Sequence, residues 1–437
     1  NCLDDLTLCG VALAALVVLL LLRVPVGVAL GGVSLLGIWK IVGANSAWGI
    51  LAAVPYDFVA SWNLSSVPMF LLMGYICFHS QLTDGLFKIA RAWLSWMPGG
   101  VAVASVGAAA GFSAVTGSSV ACAAAMGRIA VPEMLRSNYD KGLAAGTVAA
   151  AGTIGSMIPP SILLLLYGIY AELPISQLFI AGLLPGILTA VLYSAMIVAR
   201  VMITPSLAPA DPVPVTWRDR FVAFGSGLPV LALIVGVFGG LFTGVFTPTE
   251  AGATGALMSF LIGFAQRTLT LDKIRLAVME TLTTTAAIFV IAIGAILLTK
   301  FLALSGFTEF ISDTVVAGQA SQLYLILGTM AVLFFLGCFL DPIGIMLLTL
   351  PVFLPAMEKL GVDLIWYGVL MTKLLEIGLI TPPVGLNVFV IKGIVGNIMS
   401  TEAIFKGILW FLVADIFCVI LLIAFPEITL YLPRLLK

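Results

Sequence analysis

The chain is 437 residues long, 61% hydrophobic and 9% charged, with a formal net charge of −1. A soluble domain carries about 25% charged and about 45–50% apolar residues, so this composition excludes a soluble globular protein. It predicts an all-α polytopic membrane protein whose main partner is the lipid bilayer, and the absence of a long basic tract leaves no nucleic-acid partner.

In chain order, the first predicted helices cover 6–22 and 24–43. The first ends at Arg23 and runs straight into the second, so it does not read as a lone removable signal. A third helix is predicted over 66–80, then an amphipathic stretch, LFKIARAWLSW (86–96). Residues 99–134 follow, rich in small side chains and too long for one spanning helix of about 20 residues. They read as a re-entrant hairpin with its tip at Thr116–Ser119. MIPPSILL (157–164) interrupts the next apolar run, giving a broken helix over about 142–170, and a last helix closes a first half, 1–202.

ITPSLAPADPVPVTWRDR (203–220) is the long polar stretch and reads as a cytoplasmic linker. The second half, 221–437, repeats the order: helices over 221–244, 249–266 and 280–300, then FTEFISDTVV (307–316). A hairpin over 322–357 has its tip near Asp341-Pro342-Ile343-Gly344, and a broken helix over 365–393 contains ITPPVGLN (380–387).

The offset between the two proline pairs is 382 − 159 = 223. The same offset pairs Pro25 with Pro248, Pro132 with Pro355, Gly32 with Gly255, Gly155 with Gly378, Asp140 with Asp363 and Met134 with Met357. At about 5% proline, chance would give roughly half a Pro–Pro match, whereas four are present. An internal repeat follows.

Charge gives its orientation through the positive-inside rule. ANSAWG (44–49) is a neutral loop, while the matching loop in the second half carries Arg267, Lys273 and Arg275. Conversely, Lys88, Arg91, Arg128, Arg136 and Lys141 lie opposite Glu309, Asp313, Glu358, Lys359 and Asp363. The halves are therefore expected to be inverted, with NCLDD outside and Arg218 and Arg220 of the linker inside. Arg434 and Lys437 fit this poorly, since they would lie outside. Inverted repeats with broken helices point to a secondary transporter of about ten transmembrane helices and two hairpins, binding at the midplane.

A broken helix offers N–H groups to an anion on one side of the break and carbonyls to a hard cation on the other. In the first half the candidates are Gly155, Ser156 and Ser161 around Pro159-Pro160, with Thr116, Gly117, Ser118 and Ser119 at the hairpin tip. In the second they are Thr381, Gly385 and Asn387 around Pro382-Pro383, with Asp341 and Gly344. Asp341 is an ionisable residue at membrane depth and also a good N-cap before Pro342.

Other residues have plainer readings. Thr247-Pro248-Thr249-Glu250 reads as a capping box. Lys373 and Glu376 can pair at i, i+3. Asp415 could face a partner subunit. Arg128, just after the first hairpin, could attract an anionic substrate, but reads rather as a side chain snorkelling to the cytoplasmic interface. His79 ends a helix, and the six cysteines (Cys2, Cys9, Cys77, Cys122, Cys338 and Cys418) are packing residues without metal spacing. With no Walker A, GxSxG or HExxH motif, neither an ATP site nor an enzyme is expected, and an ion gradient or the substrate gradient would drive transport.

Five stretches together carry a resemblance: GFSAVTGSSVACAAAMGRIAVPEM (111–134), GTIGSMIPPSI (152–162), FTPTEAGATGAL (246–257), FLDPIGIM (339–346) and ITPPVGLNVFV (380–390). The chain resembles the large membrane subunit of tripartite ATP-independent periplasmic (TRAP) transporters over nearly its whole length. The resemblance implies an elevator-type fold of the ion-transporter superfamily in the bacterial inner membrane. It implies uptake of an organic acid such as a C4-dicarboxylate or sialic acid, coupled to Na⁺. It also implies a periplasmic substrate-binding protein and a small four-helix membrane subunit, separate or fused. The start at Asn1 rather than Met fits a processed chain or the second part of a fused one.

Carried over residue by residue, the Na⁺ sites would involve Thr116, Gly117, Ser118, Gly155, Ser156 and Pro159, and Asp341, Gly344, Thr381, Pro382 and Gly385. Substrate would meet Ser118, Ser119, Ser156, Ser161 and Asn387. A stand-alone sodium–dicarboxylate symporter is the alternative, and a channel is disfavoured because no continuous polar stripe appears.

Overall fold

The computed structural model describes residues 2–209, 215–317 and 321–436, which fold as helices with no strand among them. The first half contains α1 (Cys2–Leu21), α2 (Val26–Val42), α3 (Ala44–Val59), α4 (Ser66–His79) and the amphipathic α5 (Asp84–Leu94). A helix pair follows, α6 (Gly100–Thr116) and α7 (Ser119–Arg136), then α8 (Lys141–Gly152), α9 (Ile162–Tyr170) and α10 (Ile175–Ile203). The second half contains α11 (Trp217–Phe242), α12 (Pro248–Ala265), α13 (Leu271–Leu304) and α14 (Phe307–Ala317). The pair α15 (Gln322–Gly337) and α16 (Pro342–Lys359) comes next, then α17 (Leu364–Gly378), α18 (Leu386–Val395), α19 (Thr401–Ala424) and α20 (Glu427–Leu435).

Two pairs of helices repeat at the offset of the proline pairs, at both their ends: α5 with α14, and α7 with α16. The caps recur as well. Asp140 accepts from Leu143 N at 2.9 Å to open α8, and Asp363 accepts from Ile365 N at 2.9 Å to open α17. Ser118 caps α7, and Asp341 caps α16 by accepting from Gly344 N at 2.8 Å. A side-chain acceptor satisfies an N–H that would otherwise be stranded at a helix start, where no water is available at membrane depth.

Among the described residues, five helices are long and apolar enough to cross a membrane, or six if α3 and α4, bent by 58° at the break between them, count as one span. That is fewer than the expected ten; the remainder are shorter apolar helices of 10–17 residues such as α2, α6 and α15. A 17-residue helix is only about 25 Å long, less than the roughly 30 Å of hydrocarbon.

Three expectations need correction. ANSAWG is not a loop but the start of α3, because Gly43, at φ +86°, turns the chain directly from one helix into the next. The predicted helix over 280–300 is the centre of a 34-residue helix, α13, which takes in Lys273 and Arg275. The linker is shorter than 203–220: α10 runs to Ile203 and α11 begins at Trp217, so Arg218 and Arg220 are helical. Its residues 210–214, like Asn1 and Lys437, lie outside the described residues.

The halves are packed into each other reciprocally. α2 packs on α13 and α4 on α12; α8 packs on α19 and α17 on α10. Small residues permit the closest of these crossings, as is common between helices in lipid. A Cβ built on Gly294 would lie 2.8 Å from the Gly27 carbonyl oxygen, and one on Gly407 2.0 Å from that of Gly142. Hydrogen bonds add to the packing: Tyr167 OH of α9 donates across the halves to Leu364 O of α17 at 2.7 Å, and within the second half Trp366 Nε1 of α17 donates to Leu422 O of α19 at 2.9 Å. His79, at the end of α4, meets Glu280 of α13 at 2.9 Å. Cys9, Cys77, Cys122, Cys338 and Cys418 are buried free thiols, while the side chain of Cys2 lies outside the described ones.

Candidate functional site: a cavity between two helix-pair tips

Both tips and both chain breaks end on one small cavity of about 170 Å³. Four helices begin on its wall: α7 through Ser118, Ser119 and Val120, α16 through Asp341, Pro342 and Ile343, α9 through Ile162 and Leu163, and α18 through Leu386. Each helix start carries roughly half a positive charge on unbonded N–H groups, so four of them converging favour an anion. The opposite pole is present too, because Glu376 and Leu379 line the cavity at the end of α17.

The first tip is seated on the first break. Gly117, at φ +62°, accepts through its carbonyl from Ile162 N at 3.3 Å. A Cβ built there would lie 1.9 Å from the Pro160 carbonyl oxygen, so only glycine fits. Gly155 allows the next approach: its Cβ would come 2.8 Å from Ser119 Cα. Held this way, Ser119 Oγ lies 2.9 Å from Ser156 Oγ and also donates to Glu376 Oε2. Hydroxyls from both first-half segments therefore meet a carboxylate from the second half.

The second break is built differently. Both double prolines contain a cis bond, at Pro159-Pro160 and Pro382-Pro383. The first pair is buried, and the second is exposed on this chain. Thr381 Oγ1 donates back to Ile377 O at 2.7 Å, and Gly385, at φ +58°, precedes α18. Asn387 is wholly buried; its Nδ2 donates to Ala149 O of α8 at 3.2 Å, while its Oδ1 has no partner among the described residues.

Of the residues singled out in the sequence, Gly117, Ser118, Ser119, Ser156 and Asp341 line the cavity. Thr116 instead bonds Phe112 O at 3.2 Å, Ser161 caps α9 by accepting from Leu164 N at 3.1 Å, and Gly344 supplies the N–H capped by Asp341. Gly155, Pro159, Thr381, Pro382, Gly385 and Asn387 do not line it.

Glu376 was missed as a site residue. The expected Lys373–Glu376 pair does not form, because Lys373 Nζ lies 2.5 Å from Asp415 Oδ1 of α19. Asp415 does not face a partner either: it is wholly buried and also accepts from Tyr193 OH at 2.7 Å. The network continues from Tyr193 OH to Thr153 Oγ1, 3.2 Å away, just before Gly155. Arg128 stacks over the Phe78 ring at 5.5 Å, and Thr247 and Glu250 form the expected capping box.

Residues 13–428 match the family described as tripartite ATP-independent periplasmic transporter, DctM component. The chain belongs to that family. It is 34% identical to the C4-dicarboxylate TRAP transporter large permease protein DctM of Pseudomonas aeruginosa, over 88% of this chain and 89% of that one. It is 30% identical to the sialic acid TRAP transporter permease protein SiaT of Haemophilus influenzae, over 98% of this chain and 68% of that one. The ectoine TRAP transporter large permease protein TeaC of Halomonas elongata is also 30% identical, over 97% and 98%. The crystal structure of the Alcanivorax borkumensis YdaH transporter shares the fold, with a TM-score of 0.59 at 14% identity, covering 89% of this chain and 91% of that one. The chain is thus a multi-pass TRAP permease component, a family that works with a small membrane subunit and a periplasmic binding protein.

Proposed function

We propose that this permease takes up an organic acid anion across the inner membrane, coupled to Na⁺ and supplied by a periplasmic binding protein. The observation that carries the reading is the convergence of four helix starts and two serine hydroxyls on one cavity. Helix starts suit a carboxylate; hydroxyls and the loose carbonyls at the breaks suit a hard monovalent cation. C4-dicarboxylates and sialic acid, named for two relatives, are the first substrates to test.

The movement we propose is of elevator type, with α6–α9 and α15–α18 carrying the cavity past the remaining helices. Element bounds and caps repeated at one offset, reciprocal packing and the opposed charge patterns support an inverted repeat around it.

Reconstitution into proteoliposomes with the small subunit tests this. Uptake of succinate or sialic acid should require both an inward Na⁺ gradient and the binding protein. Uptake without the binding protein would establish a stand-alone symporter, and uptake indifferent to Na⁺ would remove the coupling.

A further inference from the structure

A second cavity, of about 430 Å³, opens between α3 and α13 on one side and α9 and α16 on the other. It shares no residue with the cavity between the tips. It runs on into a groove of about 580 Å³ along α3, and the two have Phe58, Ile169, Ile296 and Lys300 in common. Leu166, Ala292, Leu347 and Leu350 make its wall apolar. Tyr170 OH of α9 and Thr299 Oγ1 of α13 hydrogen-bond to each other on that wall.

The charges are gathered at one end. Lys300 and Asp57 lie near the ends of α13 and α3, and Glu172 just past the end of α9. All three side chains are exposed, and none has a hydrogen bond or ion pair among the described residues. Pro351 and Pro355 of α16 line the same cavity. Lacking an N–H, each leaves the carbonyl four residues back, of Leu347 and Pro351, without its helical donor.

An apolar space with charges at one end, in a protein surrounded by lipid, has the polarity of a phospholipid. The charges select the headgroup. One lysine suits a phosphate, while two carboxylates suit a cation. A primary ammonium brings three N–H donors for them; a choline head brings none, and an anionic head would leave both carboxylates facing like charge. We propose that this cavity binds a zwitterionic aminophospholipid of the phosphatidylethanolamine class. One acyl chain lies along the apolar wall, with the phosphate at Lys300 and the ammonium at Glu172 and Asp57. This goes beyond the uptake reading and does not rest on it. Because the lipid touches helices on both sides of the seam, it holds them together.

The test uses the permease purified with its small subunit in dodecyl maltoside and stripped of lipid. Thermal unfolding is followed as dioleoyl lipids are added at equal mole fraction. Phosphatidylethanolamine should raise Tm by about 3 °C or more, as a ligand of the folded state does, and at least twice as far as phosphatidylcholine or phosphatidylglycerol. Lys300→Gln removes the phosphate's partner, and Leu354→Trp fills the cavity. Both should leave the lipid-free Tm in place and lose the preference for phosphatidylethanolamine.

Equal shifts from the three lipids in the parent overturn the proposal, and so does a preference that survives in either variant. An equal shift from glycerophosphoethanolamine, the headgroup without its chains, overturns it as well, because no acyl chain would then fill the cavity. No shift from any lipid would mean that the small subunit covers the opening, and the proposal falls. Should neither variant fold, native mass spectrometry of the parent decides. From an equimolar mixture it should retain phosphatidylethanolamine over phosphatidylglycerol, and equal retention overturns the proposal.

Discussion

Lys373 Nζ lies 2.5 Å from Asp415 Oδ1, and both side chains are wholly buried. The pair joins α17 to α19 and, through Tyr193 and Thr153, reaches the first break. Removing one partner leaves a bare charge in the interior, which costs about 3–5 kcal/mol. Asp415→Ala should lower Tm in detergent sharply, and the double variant Lys373→Met/Asp415→Leu should recover most of the loss. A double variant as unstable as the single one would show that the pair is not the cause.

Gly117→Ala separates the tip from the overall fold. The new methyl would overlap the Pro160 carbonyl oxygen at a positive φ, a combination costing more than about 1 kcal/mol. Transport should fall at least tenfold while the protein still reaches the membrane; uptake within twofold of the parent would mean the tip tolerates displacement.

Ser156→Ala and Ser161→Ala form a matched pair. Ser156 touches Ser119 at the cavity, whereas Ser161 caps α9. Loss of the cap should cost about 0.5–2 kcal/mol and leave the Na⁺ midpoint in place. The Ser156 change should raise that midpoint severalfold with a smaller effect on Tm. Na⁺ titrations of both variants would reveal a reversed pattern if the assignments are wrong.

Asp341→Ala removes both a cap and a charge; Asp341→Asn keeps an acceptor for Gly344 N and removes the charge alone. Na⁺-stimulated uptake should be lost in both, with stability preserved in the Asn variant. Full Na⁺ stimulation in Asp341→Asn would reduce Asp341 to a cap.

Much of this was legible in the sequence because it is local. The TPTE box, the Asp-Pro start of α16 and the Gly-Ser tip after α6 each depend on residues within a single helical turn. Glu376 was not legible in this way. Local spacing offers Lys373 as its partner, whereas its hydrogen-bond partner, Ser119, is 257 residues away. The available signal was its type, an acid at membrane depth, which the sequence reading grants to Asp341 alone. α3 was missed for the opposite reason: a single glycine replaces the loop that neutral, polar ANSAWG suggested.

The reciprocal packing of the halves has a consequence for how the chain matures. α2 and α4 close on α13 and α12, helices that are synthesised only after the whole first half is complete. Until those emerge, the glycine faces of the first half rest against lipid. Neither half is an autonomous folding unit, so the chain assembles as two interlocked hands rather than one domain after another. Cut within 210–214, the two pieces should be unstable when expressed singly and should recover each other when expressed together.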